Sequence, residues 1–123
     1  MKLFFDSSII IETFKGNERA VNIIKKIKNF ETDIYINEIV FSEVTYQLTV
    51  RKSFELDEIF NFLNNFLFLN SDFALILKAQ NYMKKYNLKP NDSIIAATVK
   101  YYNLDYLATL DNDYENLDIR VFE

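Results

Sequence analysis

Asp6, Glu43, Asp92 and Asp111 are the side chains of this sequence with the means to do chemistry together. Asp6 closes the apolar run LFF and is followed by two serines, Glu43 stands in FSEVTYQL, Asp92 in KPND ahead of SIIAATVKYYN, and Asp111 closes YLATL. Four carboxylates brought together without a cation repel one another and raise one another's pKa. A bound metal ion relieves that repulsion. The chain has neither His nor Cys, so every donor is oxygen and the fitting ion is hard, Mg²⁺ or Mn²⁺, keeping several waters in its shell. Such a site activates a water and neutralises charge developing on a phosphodiester, with one ion or with two. The chemistry this points to is phosphodiester hydrolysis without a covalent enzyme intermediate.

The same absences narrow the alternatives. Without His the commonest general base is gone, and with it the Ser-His-Asp and Cys-His arrangements. Without Cys there are no disulfides, thiolate nucleophiles or Cys-based zinc and iron-sulfur sites.

The elements that must position the acids follow from the pattern of apolar residues. Leu3 to Phe5 is a short continuous run of the kind a buried parallel strand shows, and Asp6, Ser7 or Ser8 can cap a helix after it. Asn17 can cap an amphipathic helix over ERAVNIIKKIKNF, with Ala20, Ile23, Ile24, Ile27 and Phe30 as its apolar stripe. DIYIN, residues 33 to 37, reads as a strand, and Asn37 caps the helix EIVFSEVTYQLTVRK. Ser53 opens a further helix with Ile59, Phe60, Leu63 and Phe66 on its apolar face; FLFLN is the third strand, and Ser71 caps a long helix through Tyr86. Beyond the break NLKPND come the helix SIIAATVKYYN, the strand YLATLD, a helical turn over NDYENL and a last strand IRVF. Strands separated by helices throughout imply parallel pairing and a three-layer α/β/α sandwich. In such sheets ligands bind beyond the carboxyl ends of the strands. Asp6 and Asp111 fall at that edge, and Asp92 falls at the positive end of its helix dipole.

Position alone leaves a competing reading for these three, because Asp is also a common N-cap and first-turn residue. Glu43 is less easily explained that way. At about 100° per residue, Glu38, Ser42, Thr45, Thr49 and Lys52 form one polar sector, with Val40, Phe41, Val44 and Leu48 on one side and Ile39, Tyr46 and Val50 on the other. Glu43 falls between the two apolar groups beside Gln47, and so points inward, where a carboxylate without a partner is costly. The alternative is an ion pair with a buried Lys or Arg.

The 123 residues, half of them hydrophobic, with a single Gly and a single Pro, suit one domain over residues 1–123 with no linker. The N-terminal apolar run is already broken by Asp6, unlike a signal peptide, and no apolar segment approaches the roughly 20 residues that span a bilayer. A soluble cytoplasmic protein is expected. A net charge of −4 argues against indiscriminate binding of polyanions, yet 14 Lys and Arg leave room for a local basic patch. Lys25, Lys26, Lys28, Arg51, Lys52 and Lys89 are the candidates, each also readable as a solvated surface charge.

In order and setting, Asp6 in LFFDSSIII, Glu43 in FSEVTYQL, Asp92 in KPNDSIIAATVKYYN and Asp111 in LATLDNDYENL resemble the four acidic motifs of PIN-domain ribonucleases. The chain looks most like the small toxins of the VapBC toxin-antitoxin type. The resemblance implies an Mg²⁺- or Mn²⁺-dependent endoribonuclease acting on RNA, a homodimer, and a cognate antitoxin. It makes Asp6, Glu43, Asp92 and Asp111 the metal-binding acids, Asp113 a further ligand directly or through water, and Ser8 and Thr109 polar supports of the site. Tyr114 stands where the family often has Phe, and the ring is expected to keep a packing role. The alternative is a PIN-like binding or scaffolding module without nuclease activity. Other α/β phosphohydrolases and receiver domains fit less well, since Ser8 occupies the place of the former's second Asp and the latter's acidic pair is missing.

Overall fold

The computed structural model describes residues 1–123. Its elements are β1 (Lys2–Phe5), α1 (Ser7–Phe14), α2 (Glu18–Ile27), β2 (Asp33–Asn37), α3 (Glu38–Thr45), α4 (Leu56–Leu63), β3 (Leu67–Leu69), α5 (Phe73–Tyr86), α6 (Pro90–Tyr101) and β4 (Tyr106–Ala108). The strands form one parallel sheet in the order β3-β2-β1-β4. Right-handed crossovers through that order put α1 to α4 on one face and α5 and α6 on the other. The packing agrees, with α1 against α2 and α3, and α5 against α6. The sandwich of three layers expected from the alternation is therefore present.

β1 lies between two neighbours, and Leu3, Phe4 and Phe5 are at most 1% exposed, as a central strand covered on both faces requires. The chain reverses direction across the sheet between β1 and β4. Such a switch point opens a crevice at the carboxyl ends of the two strands. Asn17 and Asn37 cap α2 and α3 as expected, accepting from the N–H groups of Ala20 and Val40 at 3.2 and 3.0 Å. Pro90 occupies the first turn of α6, where its missing N–H costs nothing, and puts Asp92 in that turn.

Several elements differ from expectation. α5 is capped by Asp72, whose Oδ1 accepts from the Leu75 N–H at 2.9 Å, and not by Ser71. Its carboxylate is the better acceptor for helix N–H groups. Ser53 does not open α4; at φ 60° it ends the preceding helix, the Phe54 N–H reaching back to the Leu48 carbonyl at 2.8 Å. The helix expected over residues 38–52 is α-helical only to Thr45 and continues as a π-helix over Tyr46–Arg51. Thr45 and Thr49 turn their hydroxyls onto the carbonyls one turn back, Phe41 and Thr45, a bonding that loosens and bends helices. Tyr46 and Val50 lie on that π-helical segment and are exposed, not part of an apolar face. Phe30 lies past the end of α2 and Phe60 on the outer side of α4, both exposed. The last strand shrinks to one bridge, Leu107 with Val121, beside the three-residue β4.

Candidate metal centre

Asp6 is delivered by the sheet. Its N–H makes the closing ladder bond to the Ala108 carbonyl at 3.0 Å, so the side chain emerges where β1 and β4 end together. Oδ1 accepts from the Ser7 N–H at 2.9 Å, capping α1, and Oδ2 accepts from the hydroxyls of Thr109 at 2.7 Å and Ser8 at 3.1 Å. Ser8 Oγ also accepts from the Leu110 N–H and Thr109 Oγ1 from the Asp111 N–H, each at 3.0 Å. One polar network thus joins the end of β1 to the turn after β4. Asp6 is 6% exposed. Burial holds its carboxyl above the ordinary range, the hydrogen bonds counter this, and the charge of Asp92 adds to the rise.

Glu43 is half-buried and points toward Asp6 and Asp92 from the α-helical part of α3. Burial, followed by the charges of Asp6 and Asp92, pushes its pKa up to about 6 against a lowering from the Ser7 hydroxyl. No cation pairs with it: the two ion pairs of the molecule join Lys15 to Glu12 and Lys100 to Asp118. The alternative in which a buried Lys or Arg neutralises Glu43 has no such residue.

Asp92, Asp111 and Asp113 present carboxylate oxygens that all lie within 4.8 Å of one another. Asp92 comes from the first turn of α6. Asp111 and Asp113 come from the turn after β4, a short 3₁₀ helix over Asn112–Tyr114, where Asp111 Oδ1 accepts from the Asp113 N–H at 2.9 Å. Burial raises the Asp92 pKa; the Tyr114 hydroxyl and Lys89 lower it, and Asp111 and Asp113 raise it further. The three acids and Glu43 line an open cleft of about 510 Å³ with Lys89, Pro90 and Asn91. Asp6 sits behind them. Lys89 is the one cation on that cleft; Lys25 and Lys26 line an adjoining groove, and Lys28, Arg51 and Lys52 line neither.

Two participants escape the sequence. Tyr114 is fully buried and its hydroxyl donates to Asp92 Oδ1 at 3.1 Å, so the residue does more than pack. Burial and the charges of Asp6 and Asp92 raise its pKa and keep the hydroxyl protonated. The only signal was a polar group on an otherwise aromatic position. Ser7, 8% exposed, caps nothing itself but lies between Asp6 and Glu43.

The donor set suits a hard divalent cation. Three carboxylates with oxygens within 4.8 Å of one another, all-oxygen ligands and an excess of uncompensated charge are what Mg²⁺ or Mn²⁺ would neutralise.

Residues 3–120 match the PIN domain. The chain is 31% identical to ribonuclease VapC2 of Methanocaldococcus jannaschii, the alignment covering 95% of this chain and 89% of that one. It is 32% identical to ribonuclease VapC6 of the same organism, covering 94% and 92%. Among solved structures it superposes on a toxin-antitoxin complex from Klebsiella pneumoniae with a TM-score of 0.80 at 22% identity, covering 94% of this chain and 92% of that chain. DNA-bound VapBC from Salmonella typhimurium gives a TM-score of 0.79 at 19% identity, with 98% and 96% covered. At these identities the structural likeness is one of fold.

Proposed function

The chain belongs to the PIN-domain family, and on that premise we propose that it is a metal-dependent endoribonuclease, the toxin of a toxin-antitoxin pair. The observation that carries the reading is the gathering of Asp6, Glu43, Asp92, Asp111 and Asp113 at the β1/β4 switch point with no ion pair to any of them. Asp6, Glu43, Asp92 and Asp111 would hold Mg²⁺ or Mn²⁺, with Asp113 joining them directly or through water. When bound, the ion supplies an activated water and neutralises charge on the phosphodiester. In the hydrolysis an oxygen–phosphorus bond forms from water, one ester bond breaks, and the departing sugar oxygen takes up a proton.

The chain's own residues then have defined tasks. Thr109 and Ser8 turn both hydroxyls onto one oxygen of Asp6 and fix its rotamer, so that little reorganisation is needed when substrate arrives. Tyr114 fixes Asp92 in the same way. Lys89, on the cleft wall, is in place to meet a phosphate.

The reading includes a cognate antitoxin, as in the complexes this fold superposes on, and a homodimer, with a cytoplasmic place of action. Phe68, Phe73 and Leu77, each more than half exposed, offer apolar surface for a protein partner. No helix is long and apolar enough to cross a membrane. Incubating the purified chain with a total RNA pool tests the main claim. Cleavage should stop on chelation and return with Mn²⁺ or Mg²⁺; a chain that cuts no RNA with either ion is not this enzyme.

A further inference from the structure

The chain carries more acids than cations, yet no Asp or Glu occurs between Asp72 and Asp92, its longest acid-free run, and that run holds Lys78, Lys84, Lys85 and Lys89. The charges of α5 are therefore all positive in an acidic protein. Between α5 and α6 lies a cavity of about 240 Å³. Its floor is Ala97, fully buried, and Tyr82, 8% exposed; its rim is Lys78, Asn81 and Lys85 from α5 and Lys100 from α6, all exposed. The α5 members recur at intervals of three and four and so share one stripe of the helix. Ala97 is too small to fill the space between the helices.

The positive charge of this hollow is not cancelled. Asp118 is the one carboxylate on it, and both of its oxygens are engaged: Oδ1 accepts from the Tyr82 hydroxyl at 2.6 Å, and Oδ2 faces the Lys100 ammonium at 3.4 Å. Lys78 and Lys85 form no ion pair. Their ammonium groups lie over tyrosine rings, Lys78 over Tyr101 at 5.8 Å and Lys85 over Tyr86 at 5.3 Å, which steadies a cation without neutralising it. Three cations thus meet one carboxylate above a floor that excludes water, an arrangement that focuses a positive potential.

We propose that this cavity binds a small anion with two linked phosphates. Lys78 and Lys85 are its charge partners, Asn81 an amide donor, and Lys100, oriented by Asp118, the third cation. Lys78 and Lys85 stand seven residues apart, roughly 10 Å along the helix at 1.5 Å per residue, a span that suits two linked phosphates better than one. Pockets that enclose a whole drug-sized ligand run to about 300–1,000 Å³. At about 240 Å³ this one has room for a diphosphate, free or at the head of a nucleoside diphosphate whose base stays outside. It shares no residue with the acidic cleft, so the proposal stands apart from the ribonuclease reading.

Isothermal titration calorimetry with sodium pyrophosphate tests it on the full chain, dialysed free of divalent cations so that the probe is not drawn to the metal centre. Wild type is compared with Lys78→Gln/Lys85→Gln and with the control Lys52→Gln/Lys84→Gln, which loses the same charge outside the cavity. The cavity variant should bind about 10-fold or more weakly, as the loss of two contacts to charged groups implies, and the control should bind like wild type. Amide shifts in ¹H–¹⁵N spectra should fall on Lys78, Asn81, Lys85 and Lys100 and spare Asp111 and Asp113. Inorganic phosphate should bind more weakly than pyrophosphate. Adenosine diphosphate binding more tightly than pyrophosphate assigns the site to nucleotides, and binding no more tightly assigns it to the free diphosphate. The proposal is overturned by a wild type that does not bind pyrophosphate, by wild-type affinity in the cavity variant, by an equal loss in the control, by phosphate binding as well as pyrophosphate, or by shifts confined to other parts of the chain. None of these arms reads RNA cleavage, so their failure leaves the ribonuclease reading in place.

Discussion

Asp6 and Asp113 belong to one acidic cluster but are held there by different means. Asp6 is anchored by the central strand, buried, and bonded to an N–H and two hydroxyls, one of them 103 residues away. Asp113 is exposed on a three-residue turn whose geometry is set locally, by Asp111 accepting from its N–H. The inner wall is thus rigid and costly, since a charge is kept out of water there. The outer rim is exposed and held by local bonds alone. Under the proposed metal centre, Asp6 would be the fixed reference for the cation and Asp113 the solvent-side group.

The contrast sets an order of effects. The largest belongs to the inner wall: Asp6→Asn should reduce metal-dependent RNA cleavage by more than about 100-fold, exceeding the 10–100-fold usual for groups that only support a ligand. The same variant should unfold at an equal or higher temperature, because it removes charge from a crowded cluster. A stable variant that cleaves like wild type would place the chemistry elsewhere. Next comes the support of that wall. Thr109→Val strips Asp6 of its shortest bond and leaves the Asp111 N–H without its acceptor. It should cost about 1–3 kcal/mol in urea denaturation and about 10-fold or more in Mn²⁺ affinity by calorimetry.

Tyr114→Phe isolates a single hydroxyl, and the expected loss is about 1 kcal/mol of stability with weaker Mn²⁺ binding at unchanged fold. If Mn²⁺ affinity is untouched, the Tyr114–Asp92 bond is structural only. On the rim, Asp113→Asn should reduce cleavage by less than Asp6→Asn does; a reversal of that order would break the distinction between wall and rim.

The smallest effect is a pH dependence of the metal-free protein. Glu43 titrates near 4.5 when unfolded and at about 6 in the fold, so the native state binds the proton more tightly. Its contribution to stability is complete below pH 4.5, declines as pH rises toward 6, and is gone above that. Asp6 and Asp92, also raised, act in the same direction. Allowing for the solvent that reaches a half-buried group, the Glu43 part amounts to about 1 kcal/mol, or about 4 °C in Tm. Scanning calorimetry between pH 4.5 and 7 should show the decline in wild type, less of it in Glu43→Gln, and a recovery at pH 7 on adding Mg²⁺ or Mn²⁺.

The pattern of strands and helices was legible because local signals govern it: the continuous apolar run at Leu3 to Phe5, the caps Asn17 and Asn37, and the Pro at the start of α6. The errors fall where two local signals compete. Ser71 and Asp72 are adjacent caps, and only the better acceptor is used. The π-helical segment over Tyr46–Arg51 continues the helix without a break in the apolar pattern, so residue spacing does not reveal it.

Composition by itself determined what kind of site this protein could build. With no His and no Cys, any cation must be held by oxygen, and any hydrolysis must do without an imidazole base. Periodicity singled out Glu43 as the acid set apart from the polar sector of its helix. Only the tertiary structure decided that Glu43 finds no cation, that the oxygens of Asp92, Asp111 and Asp113 come within 4.8 Å, and that Tyr114 joins them through its hydroxyl. The reason is the strand order β3-β2-β1-β4: it sets the first and last strands side by side, and pairs residues such as Asp6 and Thr109 that no local pattern connects.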